Sequence, residues 1–298
     1  MRAILIAWIA VTSVANAQPA KPKVTLGIYA PSVEFGAATA RLAYVKGLAS
    51  AIEQNTGLEV DAQSYANIGA LVQANVDFAI VDGPCYATNL NWRLLASAVV
   101  GGGTTRPWAL FSNAGAAMQS LKGKKLAFIA TGCNDVGFVD NAMLESEVDA
   151  GFFGARVGKG DLTAAIAEVA SYKTAQAVFA PLASGKALAK VFDTGSVPNP
   201  AFVALGTKLP AAALDKVAAA VVGFGGGGAI AGWTKPSREI YAALASRLGR
   251  VVKAGVLAAP ELVRMDAKEM LIEPPTLRDS AVINVRHHFV RTPNARLE

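Results

Sequence analysis

The run Asp82-Gly83-Pro84-Cys85-Tyr86 follows an apolar stretch, residues 76–81, and sets an acid, a turn, a thiol and a phenol side by side. Three further clusters have the same character. Tyr29, Pro31 and Ser32 close the run at residues 23–30, Gly132, Cys133, Asn134 and Asp135 follow residues 124–130, and Lys159 and Asp161 follow residues 152–158. Tyr65 comes just after residues 58–63. Such side chains suit the walls of a small-molecule site. Tyrosines offer flat faces and hydroxyls, the loops at Gly83 and Gly132 present backbone N–H groups, Asp82, Asn134 and Asp135 set polarity, and Lys159 supplies positive charge. Each residue also has a structural role open to it: Gly83-Pro84 as a turn, Tyr65 and Tyr86 as packing groups, Asp161 and either Asn134 or Asp135 as helix caps, and Lys159 as a solvated charge. Catalysis is poorly served. There is no Gly-x-Ser-x-Gly elbow and no P-loop. His287 and His288 are adjacent, so on a strand they point to opposite faces and make a poor chelating pair. Neither an enzymatic activity nor a cofactor is expected.

The elements that must position these clusters can be read from periodicity. Residues 23–30 are β-branched and apolar and predict a buried strand. Phe35, Leu42, Val45, Leu48 and Ile52 recur at helical spacing, and Gly57 is a stop signal. Residues 58–63 and 76–81 predict strands around a short helix at residues 67–75. The alternation then restarts, with strands at residues 124–130, 152–158 and 175–180 and helices at about 136–148 and 161–170. Two α/β units with parallel sheets and right-handed crossovers follow. Residues 106–113 lead from the first unit to the second, residues 200–206 lead back, and an amphipathic helix pattern at residues 237–255 packs on the first unit. The expected division is residues 23–105 with 207–255 as one lobe, 106–206 as the other, and 256–298 as an extension. Ligands of open parallel sheets bind beyond the carboxyl ends of the strands, which is where every cluster above falls. Two such edges facing one another form a cleft.

Bulk properties narrow the function. The chain has 298 residues, 53% of them hydrophobic and 17% charged, enough for a substantial core. Its net charge of +6 includes no dense Lys/Arg tract, so nucleic acid is not an expected partner. Arg2, the apolar residues 3–14 and Ala15-Asn16-Ala17 have the form of an export signal cleaved before Gln18. The mature chain is then expected in the periplasm or outside the cell, with no membrane span. Residues 217–233 are uncharged, but the run Gly225 to Gly228 costs a helix about 1 kcal/mol per glycine. A short apolar helix running into a glycine turn is expected there. Cys85 and Cys133 are the two cysteines, an even number that suggests a disulfide in an oxidising compartment.

Tyr65, Asp77, Gly83, Pro84 and Tyr86, followed by Leu121-Lys122-Gly123-Lys124 and by Gly137-Phe138, together resemble the phosphonate-binding branch of the periplasmic substrate-binding proteins of ABC transporters. The resemblance covers residues 23–206. It implies an α/β, two-lobed type 2 periplasmic binding protein fold, with two Rossmann-like sheets joined by a hinge. The lobes would close on a small polar, phosphonate-like ligand, and a permease or a membrane sensor would be the partner. The sequence departs from that family where the family grips phosphonate with hydroxyls. Here stand Cys133, Asn134, Asp135 and Val136, and the Asp135 carboxylate would repel a phosphonate oxygen. Lys159, Gly160 and Asp161 stand where the family has a histidine. The family arrangement sets Cys85 and Cys133 facing one another across the cleft, as free thiols, as ligands of a soft metal, or as a disulfide pinning the lobes. The last would restrict opening and favour a sensor or interaction protein over a transporter, with residues 256–298 as a partner-binding segment.

Overall fold

The computed structural model describes residues 21–145, 148–149, 151–206 and 208–249. The expected signal segment, the extension at residues 256–298, and His287 and His288 lie outside the described residues.

Strands β1 (Lys23–Tyr29), β2 (Glu59–Ser64) and β3 (Phe78–Val81) are parallel, with β1 in the middle. The helices α1 (Ala38–Thr56) and α2 (Ile68–Gln73) connect them. Gly57 ends α1 in the left-handed conformation, φ 72°, as its sequence position suggested. After β3 the chain forms α3 (Gly83–Ala87), then β4 (Arg93–Val99), and crosses to the second lobe through residues 100–104.

The second lobe has strands β5 (Thr105–Ser112), β6 (Lys125–Ile129), β7 (Ala155–Lys159), β8 (Ala177–Pro181) and β9 (Ala189–Pro198) in the order β7-β6-β8-β5-β9. A short helix with wide π-type turns, Gly137–Met143, follows β6, and α4 (Leu162–Ala170) follows β7. The sequence pattern had suggested a longer helix here and an earlier start for β7.

The chain returns at Asn199-Pro200 into β10 (Ala201–Ala204), then runs through α5 (Ala211–Val222), β11 (Gly232–Thr234) and α6 (Arg238–Leu248). Among the described residues the first sheet has the order β11-β4-β10-β3-β1-β2. Two expectations need correction. β10 was expected inside the second lobe, but it pairs antiparallel with β3 and β4 in the first sheet, so the second lobe ends at Pro198. Both sheets are mixed, because β5 also runs antiparallel to β8 and β9. The glycine turn was placed correctly: α5 ends at Val222, and residues 225–228 form a tight loop closed by a Gly227–Ile230 bridge.

Burial follows the layers. One face of the first sheet packs on α1 and α5 through Val45, Leu48, Ile52, Val217 and Val221. The other face holds Leu71, Cys85, Tyr86 and Tyr241. The second lobe has its own core around Trp108, Phe138, Leu126 and Phe179. Helix α6 departs from the expectation that it would pack on the first unit alone. Tyr241 stacks edge-on against Tyr86 of α3 at 4.8 Å, while Leu244 and Leu248 enter the core of the second lobe. Its apolar stripe is divided between the two lobes, behind the crossings.

Candidate functional site

Asp82 ends β3 as expected, but it is fully buried and faces inward. Its carboxylate accepts the Ser32 N–H at 2.9 Å and also the Ser32 hydroxyl. Arg106, second residue of β5, completes the cluster. Its Nη2 donates to the Ser32 carbonyl at 3.2 Å and to Ser32 Oγ at 3.1 Å, and its Nε donates to Asn199 Oδ1 at 2.7 Å. Asn199 in turn donates to the Gly103 carbonyl at 2.7 Å. One guanidinium therefore joins the loop after β1 to both chain crossings. Burial pushes the Asp82 carboxyl up, against the opposing pull of Ser32 and Arg106. Burial also pulls the Arg106 guanidinium down. Asp82 and Ser32 thus belong to a buried network beside the chain crossings. Arg106 and Asn199 were not anticipated. The available signal was an arginine opening an apolar strand at a lobe crossing, and an asparagine between two prolines at the other.

Tyr29 sits beside this network. Its hydroxyl donates to the Thr131 carbonyl at 3.1 Å, across the lobe boundary. The phenol is pushed up to about 12, first by burial and then by the Asp82 and Asp135 carboxylates. Gly83 packs so tightly on the return crossing that a Cβ there would lie 2.0 Å from the Pro198 carbonyl oxygen. Tyr86 is buried against Tyr241, and its hydroxyl reaches the Trp92 carbonyl at 3.4 Å. Tyr65 is half-buried, lying over Gly27, where a Cβ would come within 3.0 Å of its ring. Asp77 is also structural: its carboxylate accepts the N–H and hydroxyl of Thr25.

Cys85 and Cys133 are joined in a disulfide, with Cα atoms 4.9 Å apart. The bond runs from α3 of the first lobe to the loop after β6 of the second. Both sulfurs are consumed, so the expectation of a soft metal on these two thiolates is set aside. Among the described residues no cluster of three or more His, Cys, Asp or Glu forms a metal site.

The loop at residues 131–137 was expected to present N–H groups to a ligand. Four of those groups, at Thr131, Gly132, Cys133 and Gly137, are engaged from within. Asp135 accepts the Thr131 N–H at 2.9 Å, the Thr131 hydroxyl at 2.6 Å and the Gly132 N–H at 3.0 Å. Thr131 Oγ1 takes the Cys133 N–H, and Asn134 Oδ1 takes that of Gly137. Asn134 itself has a positive φ of 60°. The chain's own carboxylate thus takes two of the loop's backbone N–H donors.

Open space between the lobes lies further out. A cleft of about 420 Å³ is walled by Pro31, Phe35, Ala37 and Arg41 of the first lobe and by Lys159, Asp161, Glu168 and Tyr172 of the second. Of the anticipated residues, Pro31, Lys159 and Asp161 line it; Gly132, Cys133 and Asn134 line a separate groove beside Val72 and Trp92. Several charges in the cleft are already committed. Asp161 caps α4 through the Ala164 N–H at 2.7 Å. Lys159 pairs with Glu168 at 2.5 Å, a contact that holds the Glu168 carboxyl below its usual range. Arg41 is different. Its Nε donates to Ser64 Oγ at 2.7 Å, which orients the group and leaves its two terminal nitrogens for other partners. No side chain caps the start of α1 at Ala37.

Neither a known protein family nor a curated relative matches the sequence. Solved structures do match in fold. A binding protein component of an ABC phosphonate transporter from Pseudomonas aeruginosa aligns with TM-score 0.56 at 13% identity, covering 73% of this chain and 82% of that one. PhnD1 of Prochlorococcus marinus, in complex with methylphosphonate, aligns with TM-score 0.58 at 14% identity over 76% and 97%. An ATP-bound protein of Xanthomonas citri aligns with TM-score 0.57 at 10% identity over 77% and 98%. The chain thus has the two-lobed fold of the periplasmic binding proteins.

Proposed function

We propose that this chain is an exported, non-catalytic solute-binding protein that takes a small anionic ligand in the outer interlobe cleft. The observation that carries the reading is the placement of Arg41. It is oriented by Ser64, it opens onto a cleft of about 420 Å³, and it stands beside an uncapped helix start whose first N–H groups favour negative charge. Phe35 and Tyr172 border the same space and suit an apolar part of the ligand. The phosphonate-binding neighbours support a small-ligand role through shared fold. The loop at residues 131–135 argues against a phosphonate held as the sequence resemblance implied, because the Asp135 carboxylate stands there and already takes two of its N–H donors. Delivery to an ABC permease is the transport role that accompanies this fold. A sensor or interaction protein that keeps the fold without transport is the second reading, and the disulfide between the lobes favours it.

The test is calorimetry with a panel of phosphonates, phosphate, phosphite and small carboxylates, repeated on two variants. Arg41→Ala should weaken binding by roughly ten- to hundredfold, the value of one charge-assisted hydrogen-bonded anchor. Asp135→Asn should leave affinity unchanged. The opposite pattern would move the ligand to the loop after β6 and overturn the assignment.

A further inference from the structure

Two-lobed binding proteins exchange ligand by hinge opening, a motion that needs the two lobes to share few fixed contacts. In this chain the shared contacts are numerous and one is covalent. Cys85 follows the carboxyl end of β3 and Cys133 that of β6, and the bond between them joins the two lobes. Cys85 is fully buried and Cys133 is 5% exposed, so the bridge is enclosed by the two lobes that it joins. Around it, the Tyr29 hydroxyl binds the Thr131 carbonyl, and the Leu162 N–H at the start of α4 binds the Pro31 carbonyl at 3.0 Å. Ser184 of the second lobe donates to Glu34 of the first at 2.6 Å. At the hinge, Arg106 ties Ser32 to Asn199, and the Tyr241 hydroxyl of α6 binds the Asn199 carbonyl at 3.1 Å.

All of these contacts are made by the chain's own groups. We infer that the lobes are fastened in the closed arrangement by the chain itself, with the Cys85–Cys133 bond as the fastening and no ligand needed for closure. In the usual balance an empty protein samples open states and ligand shifts the population toward closed ones. Here the covalent bond removes the open states from the accessible set, so ligand has no such population to shift. If the outer cleft is the ligand site, exchange there proceeds through its open side, where Gly36, Ala37, Asp161 and Tyr172 are exposed. The interlobe relation then reports nothing of occupancy, and a partner would meet one fixed two-lobed face.

The test needs no ligand, so its failure is separate from failure of the cleft assignment. Donor and acceptor fluorophores are placed through non-cysteine chemistry at Val72 of the first lobe and Tyr172 of the second, both exposed. The oxidised protein should give a single narrow interlobe distance. The Cys85→Ala/Cys133→Ala protein should give a broadened distribution whose mean is longer by more than about 2 Å. Should that variant fail to fold, the same labelled wild-type chain is reduced with a phosphine while circular dichroism verifies that it remains folded, and the same lengthening is expected. An oxidised protein that samples long distances would overturn the inference. So would a folded, bridge-free protein with an unchanged distribution.

Discussion

Replacing Arg106 with methionine is the sharpest test of the buried network at the hinge. The change keeps most of the aliphatic stem but removes the cation facing Asp82 and the donors to Ser32 and Asn199. Asp82 is fully buried, and its carboxyl is already pushed up by desolvation. Without Arg106 it rises further, because one of the forces opposing that shift is gone. Breaking a buried charge pair by removing one partner costs about 3–5 kcal/mol. The pH dependence has a definite sign. A carboxyl raised in the folded state leaves stability intact below its unfolded value and drains it as pH rises through the folded value. The cost of Arg106→Met should therefore be larger at about pH 8 than at about pH 5, because protonation of Asp82 relieves it as pH falls. Adding Asp82→Asn should recover much of the loss at the higher pH. Urea unfolding followed by circular dichroism at both pH values measures all three quantities. A loss below about 1 kcal/mol, or one equal at both pH values and unrelieved by Asp82→Asn, would show that the cluster is not held by charge.

Two further outcomes follow from the same geometry. The disulfide closes a loop with a sequence separation of 48, for which chain entropy gives about 4 kcal/mol of stabilisation. Replacing both cysteines with alanine should lower the melting temperature by about 8–16 °C, read by calorimetry, and a change of less than about 3 °C would contradict the bridge. At Gly83 a Cβ would lie 2.0 Å from the Pro198 carbonyl oxygen, with backbone on both sides of the contact. Gly83→Ala should accordingly cost about 1–3 kcal/mol by overpacking, measured by denaturant titration.

How far this architecture can be read in advance depends on the range over which each interaction is specified. β1, β3 and β6 are apolar runs largely buried on both faces, so their sequence alone marks them. β9 escapes that reading because it is an edge strand with half of its side chains exposed, and β4 because Ala96, Ser97 and Ala98 carry little hydrophobic signal. The amphipathic pattern of α6 is plain in the sequence, but a stripe of Tyr241, Leu244 and Leu248 cannot say that the first residue faces one lobe and the others the second. The candidate site divides in the same way. Asp161 as a cap on Ala164 and Asp135 as a brace for Thr131 act over three or four residues, and a turn-and-cap reading reaches them. Asp82 meets Ser32 across 50 residues, and Arg106 meets Asn199 across 93. Such pairs exist only once the strand order is known. Asp82 therefore reads as an acid at a strand end, and only the fold turns it into half of a buried hinge. Arg41 is the complementary case. On a helix its charge reads as solvent-facing polarity, and it becomes a candidate anchor only because α4 of the other lobe stands opposite it. In this chain the local rules reach the loops one by one, while the long-range pairs decide which of those loops join the lobes and which border the outer cleft.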